Sequence, residues 1–167
     1  MQREAPFPPG ESLRQAMRRW ASGVAVVTSR FEDASHGMTV NSFGSISLDP
    51  PLVTVTMNTN TRTYALVQQS GIFAVTVLSR LQQPLAELFA GRVVEDQDRM
   101  AGLETFTLVT GAPLLAGGAA FVDCRVLDRY AMPHSTLFIA EALAAQTTGE
   151  ALPPLVYFNR AFTGLEA

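Results

Sequence analysis

Lysine is missing altogether: all twelve basic residues of this 167-residue chain are arginine. That excludes a lysine Schiff base and the lysine of a phosphate-binding P-loop. Any anion must be held by arginine, backbone N–H groups or hydroxyls. Cysteine is nearly absent as well. Cys124 stands alone, so neither an internal disulfide nor a thiol pair can form. It sits in Val122-Asp123-Cys124-Arg125-Val126, where alternation puts it on the apolar face, and a buried, unreactive thiol is expected. With two histidines, His36 and His134, a zinc site has almost no ligands to draw on, and no metal is expected.

Other absences narrow the class further. No apolar run reaches the roughly 18 residues of a membrane span, and Met1 to Pro6 lacks the apolar stretch of a secretory signal. The expected compartment is therefore the cytoplasm, without a membrane partner. The net charge of −3 and the lack of a basic stripe argue against nucleic acid. No strand is followed by Gly-x-Gly-x-x-Gly, and Gly-x-Ser-x-Gly does not occur.

What is present reads as one compact domain, 47% hydrophobic and 16% charged. Residues 1–10, with three prolines, are expected as a flexible arm before a single domain over 11–167. Ser12 and Gln15 fit a capping box, and Leu13, Ala16, Met17 and Trp20 repeat at helical spacing, predicting an amphipathic helix over 12–21. Strands are expected at 24–29, 39–47, 52–57, 72–78, 119–130, 136–146 and 155–158. Asn60 or Thr61 should cap a helix ending near Gln69, and Ser79 and Gln82 a second one stopping at Gly91. Residues 93–103 are charged and expected as a solvated surface turn of helix. Six or seven strands with short helices and no βαβ rhythm predict an antiparallel barrel with helices at its edges.

The chemistry concentrates between Gly37 and Thr63. The helix start Asn58 to Thr63 leaves N–H groups unpaired, and Thr61, Thr63 and Arg62 add hydroxyls and a forked cation. That suits a phosphate; a plain helix cap with a solvated arginine is the other reading. The segment from Thr39 to Ser47 offers polar groups and open backbone on one side. This fits the pyrimidine edge of an isoalloxazine ring, or an ordinary half-exposed strand. His36 reads as a turn residue.

These pieces, in their order, resemble the short-chain flavin reductases, the small partners of two-component flavin-dependent monooxygenases. The resemblance rests on Met17 to Thr28, Gly37 to Phe43, Ser47 to Val53, Asn58-x-x-Thr61-x-Thr63, Gly71 to Val75, Phe89-Ala90-Gly91 and Pro154 to Phe158. It implies a mainly β, antiparallel Greek-key split β-barrel that binds FMN or FAD, with short peripheral α-helices, usually as a homodimer. It also implies hydride transfer from NADH or NADPH to flavin, and delivery of reduced flavin to a separate monooxygenase. Carried onto this chain, Thr39, Val40, Asn41 and Ser42 would hold the ring edge. Ser45 and Ser47 would meet the ribityl chain or phosphate, and Asn58, Thr61, Arg62 and Thr63 would surround the phosphate. The family often has Gly-Asp-His-Thr before its long C-terminal strand; here Pro133-His134-Ser135 stands in that place. His134 and Ser135 are accordingly the candidates for the nicotinamide side, His134 being alternatively a surface loop residue. A flavin-binding electron carrier, or an enzyme acting directly on an organic substrate, is the alternative function.

Overall fold

The computed structural model describes residues 7–91, 98–149 and 151–165. Helix α1 (Pro9–Met17) precedes the short β1 (Ser22–Gly23), β2 (Ala25–Phe31) and β3 (Ala34–Val40). Next come β4 (Gly44–Leu48), β5 (Pro51–Asn58), α2 (Arg62–Ser70) and β6 (Ile72–Val77). A 3-10 turn, Arg80–Gln82, leads into α3 (Gln83–Phe89), followed by β7 (Thr105–Phe106) and β8 (Leu114–Leu115). The long hairpin β9 (Ala120–Ala131) and β10 (Ser135–Thr147), then β11 (Leu155–Phe158) and β12 (Ala161–Gly164), complete the order.

Seven strands form one antiparallel sheet in the order β3-β2-β6-β9-β10-β5-β4. β3 returns against β5, so the sheet rolls toward closure and leaves a seam between them. This is the barrel expected from strand count. β2 shows why its sequence is a continuous apolar run rather than an alternating one. Ala25 and Val27 pack inside the barrel with Val55, Phe73 and Phe138, while Val26 packs outside with Leu78, Phe89 and Leu155. A strand covered on both faces has no polar side to show.

Local signals explain the elements around the seam. Thr61 caps α2 by accepting from the Tyr64 N–H at 3.3 Å, and Gly71 closes it in the left-handed region (φ 69°). The expected capping box of Ser79 and Gln82 forms with both its bonds, and opens the 3-10 turn rather than an α-helix. Phe89 at the end of α3 lies on Gly37 of β3, where a Cβ would stand 3.0 Å from the ring. The Thr39 hydroxyl then donates to the Ala86 carbonyl at 2.7 Å, fixing β3 under α3. Only a glycine lets the helix come this close.

Four expectations are corrected. The first helix starts at Pro9, within the stretch taken as an arm, and ends at Met17; Ser12 donates to the Phe7 carbonyl instead of capping. It buries no residue, and Leu13, Met17 and Trp20 are all more than half exposed. The strand expected over 39–47 breaks at Asn41-Ser42-Phe43. There the Ser42 hydroxyl takes the place of a ladder rung, donating to the Thr56 carbonyl at 2.9 Å and accepting from its N–H at 3.2 Å. The strand expected over 52–57 starts one residue earlier, since Pro51 belongs to β5 and pairs with Leu48. Finally, β3 begins at Ala34 after a tight turn at Glu32 (φ 52°), which puts His36 in a strand, opposite Ser29. Of the expected charged surface turn, residues 93–97 lie outside the described residues.

Candidate functional site

The seam between β3 and the tip of α2 opens into a cleft. One part, about 250 Å³, is lined by His36, Met38, Thr39, Asn58, Arg62 and Arg99 among others. A second part of similar size runs on past Thr39 and Ala90 to Val40, Asn41, Tyr157 and Phe162. The two share Thr39 and Ala90, so they form one groove within the size range of a ligand cleft, roughly 300–1,000 Å³.

One end of the groove is cationic. Arg62 is the first residue of α2, and its N–H and that of Thr63 have no intrahelical acceptor. Arg99 faces the same space, and among the described residues neither arginine forms an ion pair. His36 stands between them. Burial first, and then the charges of Arg99 and Arg62, push His36 below its ordinary pKa; Asp98 opposes the shift. The ring is held by a 2.8 Å hydrogen bond between Nδ1 and the Thr63 hydroxyl. A neutral imidazole and two guanidiniums at a helix N-terminus suit a phosphate group.

The other part of the groove has a different character. Phe89 and Ala90 flank the cationic end, and Tyr157 packs edge-on against Phe162 (5.5 Å between centroids) on the far wall. Between them runs Thr39-Val40-Asn41, the end of β3, which pairs with β2 on one side and has its other edge open as the outermost strand of the sheet. An open strand edge beside aromatic walls is what a flat ring with a polar edge requires. An open slot with a cationic end and apolar sides fits a flavin nucleotide, and the described side chains do not plug it.

The expected site residues divide. Thr39, Val40, Asn41, Asn58, Thr61 and Arg62 line the groove. Thr61 does so with its hydroxyl already committed, donating to the Asn58 carbonyl at 2.9 Å. Thr63 is placed differently from the expectation: it is fully buried and reaches the groove only through His36. Ser42 spends its hydroxyl on β5. Ser45 and Ser47 sit on the edge strand β4 outside the groove, with Ser47 turned to the Pro50 carbonyl at 2.5 Å. His134 lies in the β9–β10 turn, its carbonyl accepting from the Thr59 N–H at 3.2 Å, and Ser135 opens β10 opposite Asn58; neither lines the groove within one chain. Sequence reasoning missed His36, Arg99, Phe89, Tyr157 and Phe162 as groove residues. The His-x-Met spacing of His36 and Met38 on one strand face was the available signal for the first.

Comparison with known proteins now gives the class. Residues 17–166 match the model of the flavin reductase like domain family, and the chain belongs to that family. It is 37% identical over 154 residues to the NADH-dependent flavin reductase StyB of Pseudomonas fluorescens, covering 91% of this chain and 88% of that one. It is 33% identical to the reductase component of 4-hydroxyphenylacetate 3-monooxygenase of Thermus thermophilus, over 93% of this chain and 96% of that one. Among solved structures, the NADH:FAD oxidoreductase SgcE6 of Streptomyces globisporus, in complex with NAD and FAD fragments, superposes with a TM-score of 0.86. Identity to it is 29%, over 98% of both chains. The split barrel with few short helices is shared with these neighbours.

Proposed function

We propose that this protein is an NAD(P)H-dependent flavin reductase that supplies reduced flavin to a separate monooxygenase. The observation that carries the reading is the single groove joining the open backbone of Thr39–Asn41 to the cationic tip of α2. When bound there, FMN or FAD would supply the two-electron acceptor for the nicotinamide hydride. Arg62, Arg99 and the α2 N–H groups hold the phosphate, and Asn58 and Thr61 shape its rim. Thr39, Val40 and Asn41 orient the ring edge. Phe89, Ala90, Tyr157 and Phe162 exclude water from its faces. No protein acid is needed for this work; orientation of the two rings is the protein's contribution.

Two further parts of the reading concern assembly and location. Ile46 and Leu48 on the edge strand β4 are 49% and 89% exposed, and Leu127 and Tyr130 on β9 are also open. Apolar side chains left bare along a sheet edge support a homodimer. Among the described residues no helix is long and apolar enough to cross a membrane, and we place the enzyme in the cytoplasm.

The test is the oxidation of NADH and NADPH, followed at the nicotinamide absorbance band with FMN or FAD added. Oxidation that depends on flavin is expected; none with either nicotinamide rejects the proposal. The position of His134 and Ser135 outside the groove favours one other reading, a flavoprotein reduced by another protein or a substrate. Tightly held flavin that NADH never bleaches would select it.

A further inference from the structure

His36 is the third basic side chain at the cationic end of the groove, beside Arg62 of α2 and Arg99. Its Nδ1 is tied to the Thr63 hydroxyl at 2.8 Å, and Thr63 is fully buried. That bond fixes the ring. It leaves Nε2, which has no hydrogen-bond partner among the described residues, as the nitrogen free to meet a ligand. His36 and Arg62 also line a second cavity, about 520 Å³, together with Ser35, Leu66 and Asp98. The imidazole therefore stands between two open spaces rather than inside a packed core.

Among the charged groups around His36, cations prevail. Arg62 comes from the tip of α2, and Asp98 and Arg99 from the segment before β7. α3 packs on the same strand through Phe89, and its Glu87 is engaged by Gln83 at 2.9 Å. On β2, the paired strand, Arg30 donates to the Glu32 carbonyl. Burial first, then Arg99 and Arg62, keep the ring neutral against the pull of Asp98. A permanent third cation here would stand unpaired whenever the groove is empty. An imidazole avoids this: it sheds its proton in the empty site and regains one when an anion arrives. The Thr63 hydroxyl serves both forms, since it donates to a bare Nδ1 or accepts from a protonated one.

We infer that His36 is a ligand of the flavin phosphate and takes up a proton as that phosphate binds, making the affinity for FMN, but not for riboflavin, depend on pH. The inference rests on the flavin reading. A phosphate monoester brings a charge of about −1.5 to −2 at pH 7, which offsets the two guanidiniums and reverses the field at the ring. Nε2–H then donates a charge-assisted hydrogen bond to a phosphate oxygen. Affinity rises as pH falls toward the value at which the empty site itself protonates, and gains nothing below it. Riboflavin, without a phosphate, brings no proton. The groove therefore grades its preference for phosphorylated over bare flavin by pH, loosening its hold on FMN as the solution turns alkaline.

The test measures the Kd of FMN and of riboflavin by flavin fluorescence at about pH 7 and about pH 8.5, above the phosphate's own second ionisation near pH 6. It uses the parent chain, His36→Gln and His134→Gln; His134, the only other histidine, lines no part of the groove. In the parent and in His134→Gln, FMN should bind roughly three- to tenfold more tightly at the lower pH. In His36→Gln that difference should vanish, with the loss of affinity greatest at the lower pH. Riboflavin should be indifferent to pH throughout. Calorimetry of the unaltered protein near pH 7, in two buffers of different ionisation heat, reads the proton directly: uptake with FMN and none with riboflavin. An FMN affinity independent of pH, the same pH dependence in His36→Gln or with riboflavin, or binding without proton uptake overturns the inference. Should neither flavin bind, the flavin reading itself falls, and the inference with it.

Discussion

Replacing Arg62 by alanine separates a phosphate ligand from a bystander at a helix tip. A charged hydrogen bond contributes about 1.5–3 kcal/mol. Arg62 is exposed, and Arg99 and the α2 N–H groups stay behind in the groove, so the lower figure applies. About 1.5 kcal/mol corresponds to a roughly twelvefold rise in the Kd for FMN. Riboflavin, which lacks the phosphate, should bind Arg62→Ala nearly as it binds the parent. The loss should also shrink as salt is raised, because the pair is solvent-accessible. Alanine is a strong helix former, and the Thr61 cap stays intact, so folding should be unaffected. Flavin fluorescence titrations of both ligands at two ionic strengths measure all of this. Equal losses for FMN and riboflavin, or none for either, would refute the placement of the phosphate.

Three further outcomes are expected. Gly37→Val places methyl groups where a Cβ alone already meets Phe89 and Thr28 at 3.0–3.1 Å, and should destabilise by about 1–3 kcal/mol in urea unfolding; Phe89→Ala in the same chain should add less than its separate cost. Cys124 is buried against Asp123 with its thiol pushed up to about 12, so a thiol reagent at pH 8 should label it only after denaturant is added, and rapid labelling of folded protein would contradict that burial. Because the pKa of His36 is lowered on folding, the unfolded chain binds more protons below about pH 6.5, and stability should fall as pH drops through that value. His36→Gln should flatten this slope in pH-dependent melting curves; an unchanged slope would place the titration elsewhere.

How much was legible in the sequence depended on the range of the interaction. The Thr61 cap, the Ser79–Gln82 capping box and the Gly71 stop are written within four residues, and all three are present. The long hairpin strands were legible because each is more than ten residues of uninterrupted strand-forming sequence, with β10 alternating over its first six. Two-residue strands such as β1 and β7 carry no period to read. β12 was hidden because the two-residue hairpin turn at Asn159-Arg160 carries arginine where glycine usually follows the asparagine. The break after Val40 escaped notice since Ser42 supplies from its side chain what a strand supplies from its backbone.

The groove divided in the same way. Its cationic end lies on one short motif, Asn58 to Thr63, and was visible there. Its far wall is brought in by Tyr157 and Phe162, more than ninety residues away, and by Phe89, which reaches β3 only because Gly37 has no side chain. Nothing local marks such a wall. His36 looked like a turn residue because it lies among Ser35, Gly37 and the acidic turn before them. Pairing of β3 with β2 then placed it in the sheet, and the bond to Thr63 aimed it at the tip of α2.

A crystal structure of the protein soaked with FMN tests the central claim most directly. The phosphate is predicted within hydrogen-bond reach of Arg62 and the first N–H groups of α2, with the ring against Thr39–Asn41 between Ala90 and Tyr157. Flavin seated elsewhere, or a phosphate far from the α2 tip, would contradict it.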